Sequence, residues 1–424
     1  MKVLVIGGGG REHAIVWKLA QSRHVDKIYC TPGNAGIAEL AECIEVGPDF
    51  DALIDFVKYN WIDITIVGPE EPLSRGIVDA FEKEGRRILG PTKAAAQLEW
   101  SKVFSKDFMR SHRIPTADYK VFSSYVHAQE HVRMMGAPRV IKADGLAAGK
   151  GVFVAATVDE AMEAIEIIMK DRAFGAAGDK VIIEDCLVGE EASFMVFTDG
   201  TTIVPMASAQ DHKRIFDHDR GPNTGGMGAY SPAPVITPEM QELVMETVMR
   251  PTVDGLRSDG IKYKGILYAG LMIAGGKPYV LEYNCRLGDP ETQPVLFRLG
   301  TDFVDIALAI ADERLADLAV QWKPEHAICV VLASKGYPGT YAKGDVISGL
   351  EQAKKHENVV VFHAGTTLGE NNACVTNGGR VLGVTASGTD IVAARDTAYR
   401  AIQDISFDGM QFRKDIAIKA IRTT

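Results

Sequence analysis

The chain has 424 residues, a formal net charge of -10 at pH 7 and 46% hydrophobic residues. This length is too great for one hydrophobic core and predicts three domains, and the composition is that of an ordinary globular protein. The acidic balance argues against a nucleic-acid partner, because phosphate backbones are bound through basic patches.

The first hundred or so residues predict an α/β domain with a doubly wound parallel sheet. Apolar strands at residues 3–6, 27–30 and 64–67 alternate with helical patterns at residues 12–22 and 50–59. Such alternation is typical of parallel sheets with helices on both faces. Loops rich in glycine or proline follow the strands, and ligands of these sheets bind outside the carboxyl ends of the strands.

The first of these loops contains four consecutive glycines, from Gly7 to Gly10, followed by Arg11. It lies between a strand and a helix, as a dinucleotide fingerprint does, but Glu12 or His13 occupies the third glycine position. A hydride-transfer enzyme is therefore disfavoured. A helix N-terminus with free N–H groups beside Arg11 suits a single phosphate, and a purely structural turn fits equally well.

A helix is predicted over residues 93–112, and a compact region with strands and a helix follows at about residues 120–190. The loop over residues 145–151 resembles a P-loop, but its glycine spacing is too short and Gly151 replaces the hydroxyl residue. We interpret it as a glycine flap above phosphates, with Lys142 beneath it, because a lysine ending an apolar strand needs an anionic partner. The alternative is a glycine hairpin with solvated lysines.

A charged, glycine-rich stretch over residues 210–228 predicts a long loop inside a compact domain. Loops of this length are usually functional or disordered. The apolar residues Ile215 and Phe216 within it argue against disorder. Asp211 could receive an ammonium group, and Lys213 a carboxylate or a phosphate.

The segment that begins at Leu281 carries a carboxylate, an amide and a guanidinium at alternate positions: Glu282, Asn284 and Arg286. Alternate side chains of a β-strand share a face, so these three are predicted to point the same way. Two oxygen ligands beside a cation form a place where a hard metal ion and phosphate oxygens can meet. A strand whose polar face is merely hydrated is the alternative.

The remaining residues predict a C-terminal α/β domain with a mixed β-sheet. Its apolar strands lie at residues 327–334, 359–364 and 380–386, and a helix with one apolar face spans residues 390–405. We therefore divide the chain into three domains, over residues 1–101, 102–325 and 326–424.

A cytoplasmic protein is expected. The six cysteines include no closely spaced pair, which disfavours a zinc site and a disulfide framework. Met1 leads directly into the first strand, which leaves no room for a signal peptide. No apolar run reaches the ~18 residues of a membrane span.

Several motifs, taken together and in this order, closely resemble the phosphoribosylamine glycine ligase family of ATP-grasp enzymes. They lie at residues 7–13, 142–152, 189–194, 210–214, 221–230, 282–293 and 362–366. The resemblance covers essentially the whole chain. It implies a two-lobed ATP-grasp domain at the centre and a substrate-binding N-terminal domain. It also implies the ATP-dependent joining of glycine to 5-phosphoribosylamine through glycyl phosphate, which gives glycinamide ribonucleotide, ADP and phosphate in purine biosynthesis.

The resemblance also implies roles for individual residues. Glu282 and Asn284 would bind Mg²⁺ or Mn²⁺, and the catalytic residues would be Arg286, Asp211 and Lys213. The residues implied to bind ATP are Lys102, Lys142, Gly149, Glu184, Leu187 and Glu191. Asp211 would hold the ammonium group of glycine. Those implied to bind phosphoribosylamine are Gly8, Gly10, Arg11, Asp289 and Thr292.

One departure concerns the strand over residues 265–273, which carries no carboxylate where many ATP-grasp relatives place a second acid. Either the metal is held more weakly, or another group such as Glu291 completes its shell. The alternatives are a different ATP-grasp carboxylate–amine ligase and a non-catalytic nucleotide-binding regulator. We expect a monofunctional protein, monomeric or weakly dimeric, with small-molecule partners and no membrane.

Overall fold

A computed structural model describes residues 1–146 and 151–423, with side chains through residue 421. The predicted flap residue Gly149 lies outside the described residues. Within the described part of the chain, none of the helices combines the length and the apolar character needed to cross a membrane.

The N-terminal domain is built on a five-stranded sheet that is parallel throughout. Its strands are β1 (Lys2–Gly7), β2 (Lys27–Pro32), β3 (Glu42–Cys43), β4 (Ile64–Val67) and β5 (Ile88–Leu89). Its helices are α1 (Gly10–Leu19), α2 (Phe50–Asn60), α3 (Glu70–Arg75) and α4 (Ile77–Lys83). The strand order is β3-β2-β1-β4-β5. Val3 and Val5 enter one core and Leu4 and Ile6 the other, which confirms the doubly wound sheet.

The prediction of one helix over residues 93–112 is wrong in one respect. The segment forms two helices, α5 (Gln97–Trp100) and α6 (Lys102–Ser111). Ser101 between them is extended, and its hydroxyl accepts a hydrogen bond from the backbone N–H of Phe104 at 3.2 Å. This is an N-cap, which favours the start of a new helix over the continuation of the old one. The break places Lys102 in the first turn of α6.

The first lobe of the central domain, here called the flap lobe, is an antiparallel sheet in the order β6-β9-β7-β8. Its strands are β6 (Tyr119–Phe122), β7 (Arg139–Ala143), β8 (Val152–Ala155) and β9 (Val181–Asp185). Its helices are α7 (Tyr125–Met135) and α8 (Val158–Ile165), and α8 continues as a π-helix over Glu166–Lys170. Both helices pack on one face of the sheet through buried alanine, valine and isoleucine side chains.

The second lobe is the antiparallel sheet β11-β10-β16-β17. The strands of this part of the chain are β10 (Glu190–Thr198), β11 (Ile203–Pro205), β12 (Gln210–Asp211), β13 (Arg214–Phe216), β14 (Arg220–Asn223), β15 (Gly228–Ser231), β16 (Gly265–Ala274) and β17 (Lys277–Asn284). The loop predicted over residues 210–228 is therefore structured. It contains β12 and a hairpin of β13 and β14, whose backbone groups pair with each other.

The alternation predicted for Glu282, Asn284 and Arg286 holds for the first two residues, which lie on β17. Glu282 pairs with Gly270 and Asn284 with Tyr268, so these two polar side chains share a face. The ladder is irregular at Leu281, and β17 ends at Asn284. Arg286 consequently lies beyond the strand and not on its face as predicted.

The C-terminal sheet was predicted to be mixed, but it is antiparallel throughout, in the order β12-β15-β18-β22-β19. Its first two strands come from sequence before residue 326, because β15 pairs with β18. The last strands are β18 (His326–Ala333), β19 (Val359–His363), β20 (Thr366–Leu368), β21 (Cys374–Thr376) and β22 (Arg380–Gly388). The remaining helices are α9 (Pro238–Val244), α10 (Arg250–Ser258), α11 (Thr292–Arg298), α12 (Phe303–Ala311), α13 (Leu350–Ala353), α14 (Ile391–Ile402) and α15 (Ile418–Thr423).

Candidate active site

Glu282 lies among basic side chains in the cleft between the two lobes of the central domain. The four cleft cations, in order of their effect on it, are Lys213, Lys142, Lys102 and Arg286. Burial opposes ionisation of Glu282, but the cleft cations outweigh it and hold its pKa below the ordinary value. Glu282 is thus a charged carboxylate beside the amide oxygen of Asn284, which is a donor pair that suits a hard divalent cation.

Two lysines of the cleft share one buried carboxylate. Glu184 on β9 is 2% exposed, and its two oxygens lie 2.9 Å from the Nζ atoms of Lys106 and Lys142. Lys142 Nζ also donates to the carbonyl of Leu281 at 3.0 Å, which joins the flap lobe to β17. Burial lowers the pKa of Lys106 to about 8. Lys106 was not predicted from the sequence, although it lies one helical turn from Lys102 on α6.

The other residues predicted to bind ATP lie in different surroundings. Lys102 Nζ donates to the carbonyl of Gly145, at the start of the predicted flap, at 2.8 Å. Burial lowers its pKa, against the effect of Glu282. Glu184 lies inside β9, which pairs with strands on both sides. Leu187 lies in the link between β9 and β10, outside both strands.

Arg286 joins the end of β17 to the N-terminal domain. Its guanidinium lies 2.7 Å from a carboxylate oxygen of Glu99 and 3.2 Å from one of Glu70. The other oxygen of Glu99 accepts the backbone N–H of Cys285 at 2.7 Å. Neither acid was predicted from the sequence. The available signal for Glu70 was its place in the loop that follows β4 at the carboxyl edge of the sheet.

Asp211, Lys213 and Glu191 form a charged group at the side of the cleft. Lys213 Nζ lies 2.6 Å from Glu191 Oε2 and 4.0 Å from Asp211 Oδ1. Burial raises the pKa of Asp211 to about 7; Lys213 opposes this shift, and the nearby acid Glu291 adds to it. Burial lowers the pKa of Lys213, but Asp211 and Glu191 outweigh it and raise the pKa above its usual range.

Glu291 is buried on the polar face of the second lobe. Its Oε1 accepts hydrogen bonds from Ser193 at 3.0 Å and from Tyr268 at 2.6 Å. Ser193 pairs with Gly270, and Gly270 pairs with Glu282, so Glu291 reaches the face that lacks an acid on β16. Among the described residues, however, neither Glu282 nor Glu291 belongs to a cluster of three carboxylate, histidine or cysteine ligands.

The predicted phosphoribosylamine residues come together where the N-terminal and C-terminal domains meet. Arg11 donates to Glu12 at 2.6 Å and to the carbonyl of Leu287 at 3.1 Å. Asp289 Oδ2 lies 3.3 Å from Arg380, a C-terminal residue that sequence reasoning missed. Burial opposes ionisation of Asp289, but Arg380 and Arg11 lower its pKa.

The three remaining residues of that set, Gly8, Gly10 and Thr292, make mainly structural contacts. The carbonyl of Gly8 accepts a hydrogen bond from Asn34 at 2.9 Å. A Cβ atom on Gly10 would lie 2.7 Å from the Gln293 amide, so a larger residue would require the Gln293 side chain to shift. Thr292 is fully buried, and its hydroxyl bonds to the carbonyl of Gly288. Its side chain therefore supports the turn that carries Asp289.

Two four-stranded antiparallel lobes around a basic cleft with an acid–amide pair define an ATP-grasp protein, and comparisons with known proteins specify the family. The model of the phosphoribosylglycinamide synthetase ATP-grasp (A) domain matches residues 100–292. The models of the N and C domains of the same synthetase match residues 1–99 and 327–419. The chain belongs to the phosphoribosylglycinamide synthetase family. It is an ATP-dependent carbon–nitrogen ligase of purine biosynthesis.

Individual relatives match over the full length. A phosphoribosylamine–glycine ligase of Vibrio parahaemolyticus is 54% identical, and one of Escherichia coli K12 is 51% identical, each over 99% of both chains. The crystal structure of phosphoribosylamine–glycine ligase from Thermotoga maritima shares 33% identity with a TM-score of 0.86, covering 98% of this chain and 100% of that one. A biotin carboxylase domain from Hydrogenobacter thermophilus, solved with MgADP and bicarbonate, shares the fold at 15% identity and a TM-score of 0.72, covering 97% and 91%.

Replacing Glu184 by glutamine should destabilise the protein by about 3–5 kcal/mol at pH 7, because two buried lysines lose their counter-charge. The deficit relative to the native chain should shrink as pH rises from 7 to 9. Because burial lowers the pKa of Lys106, this lysine loses its proton at lower pH in the folded state than in the unfolded chain, so higher pH favours folding of the variant. Urea unfolding at both pH values measures the difference.

Asp185→Asn is the matched control, since Asp185 is the next residue on β9 but is half exposed in its pair with Arg139. Its effect should stay within about 1 kcal/mol. A Glu184→Gln deficit as small as that of the control would show that the two lysines do not depend on this carboxylate.

Proposed function

We propose that the cleft around Glu282 phosphorylates the carboxylate of glycine with ATP and then passes the glycyl group to the amine of 5-phosphoribosylamine. The observation that carries this proposal is the Glu282–Asn284 pair, whose carboxylate four cleft cations stabilise and which Asp211 is close enough to influence. A carboxylate that approaches a phosphate charge at 4 Å meets on the order of 4 kcal/mol of repulsion at an effective dielectric constant near 20. The cleft cations oppose this repulsion, so positioning and charge neutralisation account for most of the catalysis.

Glu282 and Asn284 would hold a divalent cation, Mg²⁺ or Mn²⁺. The fit rests on their shared face and on the lowered pKa of Glu282, since hard cations prefer charged and amide oxygens. When bound, the ion would neutralise the negative charge of phosphate oxygens. Glu291 is close enough to the same face to support this site, although its Oε1 is already engaged by Tyr268 and Ser193.

ATP would lie between the lobes. Lys102 and Lys142 would contact its phosphates beneath the loop that contains Gly149, and Arg286 would face the transferred phosphoryl group. Adenine would meet the link after Glu184, with Leu187 against the ring. Glu191 would accept hydrogen bonds from the ribose hydroxyls through Oε1, because Lys213 already contacts Oε2.

The two acceptor substrates would enter from opposite sides. Asp211 would receive the ammonium group of glycine, and Lys213 would face its carboxylate. Phosphoribosylamine would lie against the loop of Gly8, Gly10 and Arg11 and the turn of Asp289. Thr292 would act by shaping that turn, since its hydroxyl is bonded within it.

The proposed division of labour follows the three predicted segments. Residues 1–101 would bind phosphoribosylamine, residues 102–325 would bind ATP and glycine, and residues 326–424 would close the site from the other side. We further propose that the protein acts in the cytoplasm as a monomer or weak homodimer, on small molecules and without nucleic acid or membrane partners.

Glu282→Ala and Arg286→Ala should each lower glycine-dependent phosphate release by at least about 100-fold, because the first removes a ligand of the proposed metal ion and the second removes the cation that faces the transferred phosphoryl group. The overall fold should be retained in both variants, as judged by circular dichroism, although Arg286→Ala leaves the buried Glu99 without its cation and should also lower the melting temperature. Glu190→Gln is the control, since Glu190 lies on β10 of the same sheet but is exposed. Near-native turnover of either alanine variant would contradict the site assignment. Phosphate release of equal size with alanine or formate in place of glycine would contradict the substrate assignment.

The value of kcat/KM for glycine should rise with pH through about 7 and then level off. Asp211 must be ionised to receive an ammonium group, and its pKa in the free protein is raised to about 7. Glu191→Gln should move this rise to lower pH, because one like charge is removed from the neighbourhood of Asp211. A profile that is flat between pH 5.5 and about 8.5 in the native protein would contradict the role of Asp211.

A further inference from the structure

Arg413 is a buried arginine of the C-terminal region, with 1% of its surface exposed. Its Nε and Nη2 donate to the two oxygens of Asp415 at 2.7 and 2.8 Å. Its Nη1 donates to Asp219 Oδ1 at 2.8 Å and to the carbonyl of Arg214 at 3.1 Å. The planar guanidinium therefore engages two carboxylates and one peptide at once, which a lysine ammonium cannot reproduce.

The contacts of the same C-terminal segment fix the turn of the β13–β14 hairpin. Asp415 Oδ2 accepts the backbone N–H of His218, and Asp217 Oδ1 accepts that of Lys414, both at 2.8 Å. His218 and Asp219 have φ angles of 60° and 52°. Residues other than glycine seldom adopt this left-handed region unless their surroundings hold them there. The shape of the turn thus depends on residues 413–415.

The hairpin leads directly into the glycine site. Arg214, whose carbonyl Arg413 holds, is the residue after Lys213. The carbonyl of Lys213 accepts the backbone N–H and the hydroxyl of Thr224, at the far end of the hairpin, at 2.7 and 2.8 Å. Lys213 Nζ then reaches Glu191 at 2.6 Å and Asp211 at 4.0 Å. One peptide unit separates the arginine contact from the functional lysine.

Apolar packing alone holds this hairpin only weakly. Its one buried apolar side chain in the described structure, Ile215, packs in a small cluster with Met227 and Ala333, with Tyr337 at the edge. Phe216 is 56% exposed. The hairpin is consequently held in place mainly by its charged contacts with the C-terminal segment.

We propose that Arg413 is a positioning residue for glycine: by holding Arg214 and Asp219 it sets Lys213 against Asp211 and Glu191. This inference rests on the proposed function, in which Asp211 and Lys213 bind glycine. It assigns to the C-terminal region a direct part in the glycine site of the central domain. The ATP residues Lys102 and Lys142 lie on other elements and are not held by this hairpin.

The test is Arg413→Lys in the full chain, with steady-state kinetics for each substrate. The KM for glycine should rise on the order of 10-fold, because a misplaced positioning group weakens alignment. The KM for ATP should change much less, because Lys102 and Lys142 are not held by the hairpin and, of the described ATP residues, only Glu191 contacts Lys213. The pH at which kcat/KM for glycine rises should also move upward, because a displaced Lys213 no longer lowers the pKa of Asp211. Arg395→Lys is the matched control. Arg395 donates to the carbonyls of Lys414 and Ile416 in the same segment, and among the described residues none of its contacts is with the hairpin.

If Arg413→Lys fails to fold, Asp219→Asn serves instead, because it removes one counter-charge of the guanidinium at a half-exposed position and should change the same two quantities. A native glycine KM and an unchanged pH profile in the folded variant would overturn the inference, even with a lowered melting temperature. A uniform fall in kcat with every KM unchanged would overturn it as well. The proposed function fails separately, if the native chain forms no ADP in response to glycine.

Discussion

The ion pairs of Arg286 with Glu70 and Glu99 are the interaction on which the arrangement of the cleft depends. Arg286 lies just beyond β17, so these contacts fix the end of β17 against α3 and α5. Its side chain is only 16% exposed, and a guanidinium this deeply buried needs both of its carboxylates. The position of Glu282 and Asn284 is therefore set jointly by the N-terminal and central domains. Ion pairs between distant segments, more than the strand alone, therefore position this side of the site.

Charge balance separates the tasks of two carboxylates within one cleft. Glu282 lies among four cations, which lower its pKa and keep it charged for a metal ion. Asp211 has one lysine but three acidic neighbours, and burial raises its pKa to about 7. Residues of the same chemical type thus acquire different properties from their surroundings, which is a common means of dividing acid and base work in an active site. If Asp211 receives the ammonium group of glycine as proposed, its raised pKa would also make glycine binding responsive to pH in the physiological range.

The local patterns of the sequence predicted much of this structure. Alternating strands and helices specified the doubly wound sheet, and the spacing of Glu282 and Asn284 specified their shared face. The break at Ser101 and the hairpin within residues 210–228 were missed, because a cap and a short strand pair are weaker signals than apolar periodicity. Contacts between distant segments were also out of reach. Arg286 and Glu70 are 216 residues apart, and Arg413 and Arg214 are 199 apart, and no periodic pattern connects them.

The most direct test of the central claim is the fate of the carboxylate oxygen of glycine. If the cleft forms glycyl phosphate, glycine labelled with oxygen-18 in its carboxylate must transfer one labelled oxygen to inorganic phosphate in each turnover, because the bond between carbonyl carbon and oxygen breaks when the amine attacks. Mass spectrometry of the released phosphate measures this transfer. The account predicts phosphate with one oxygen-18 atom per molecule formed. Unlabelled phosphate, released together with glycinamide ribonucleotide, would contradict it.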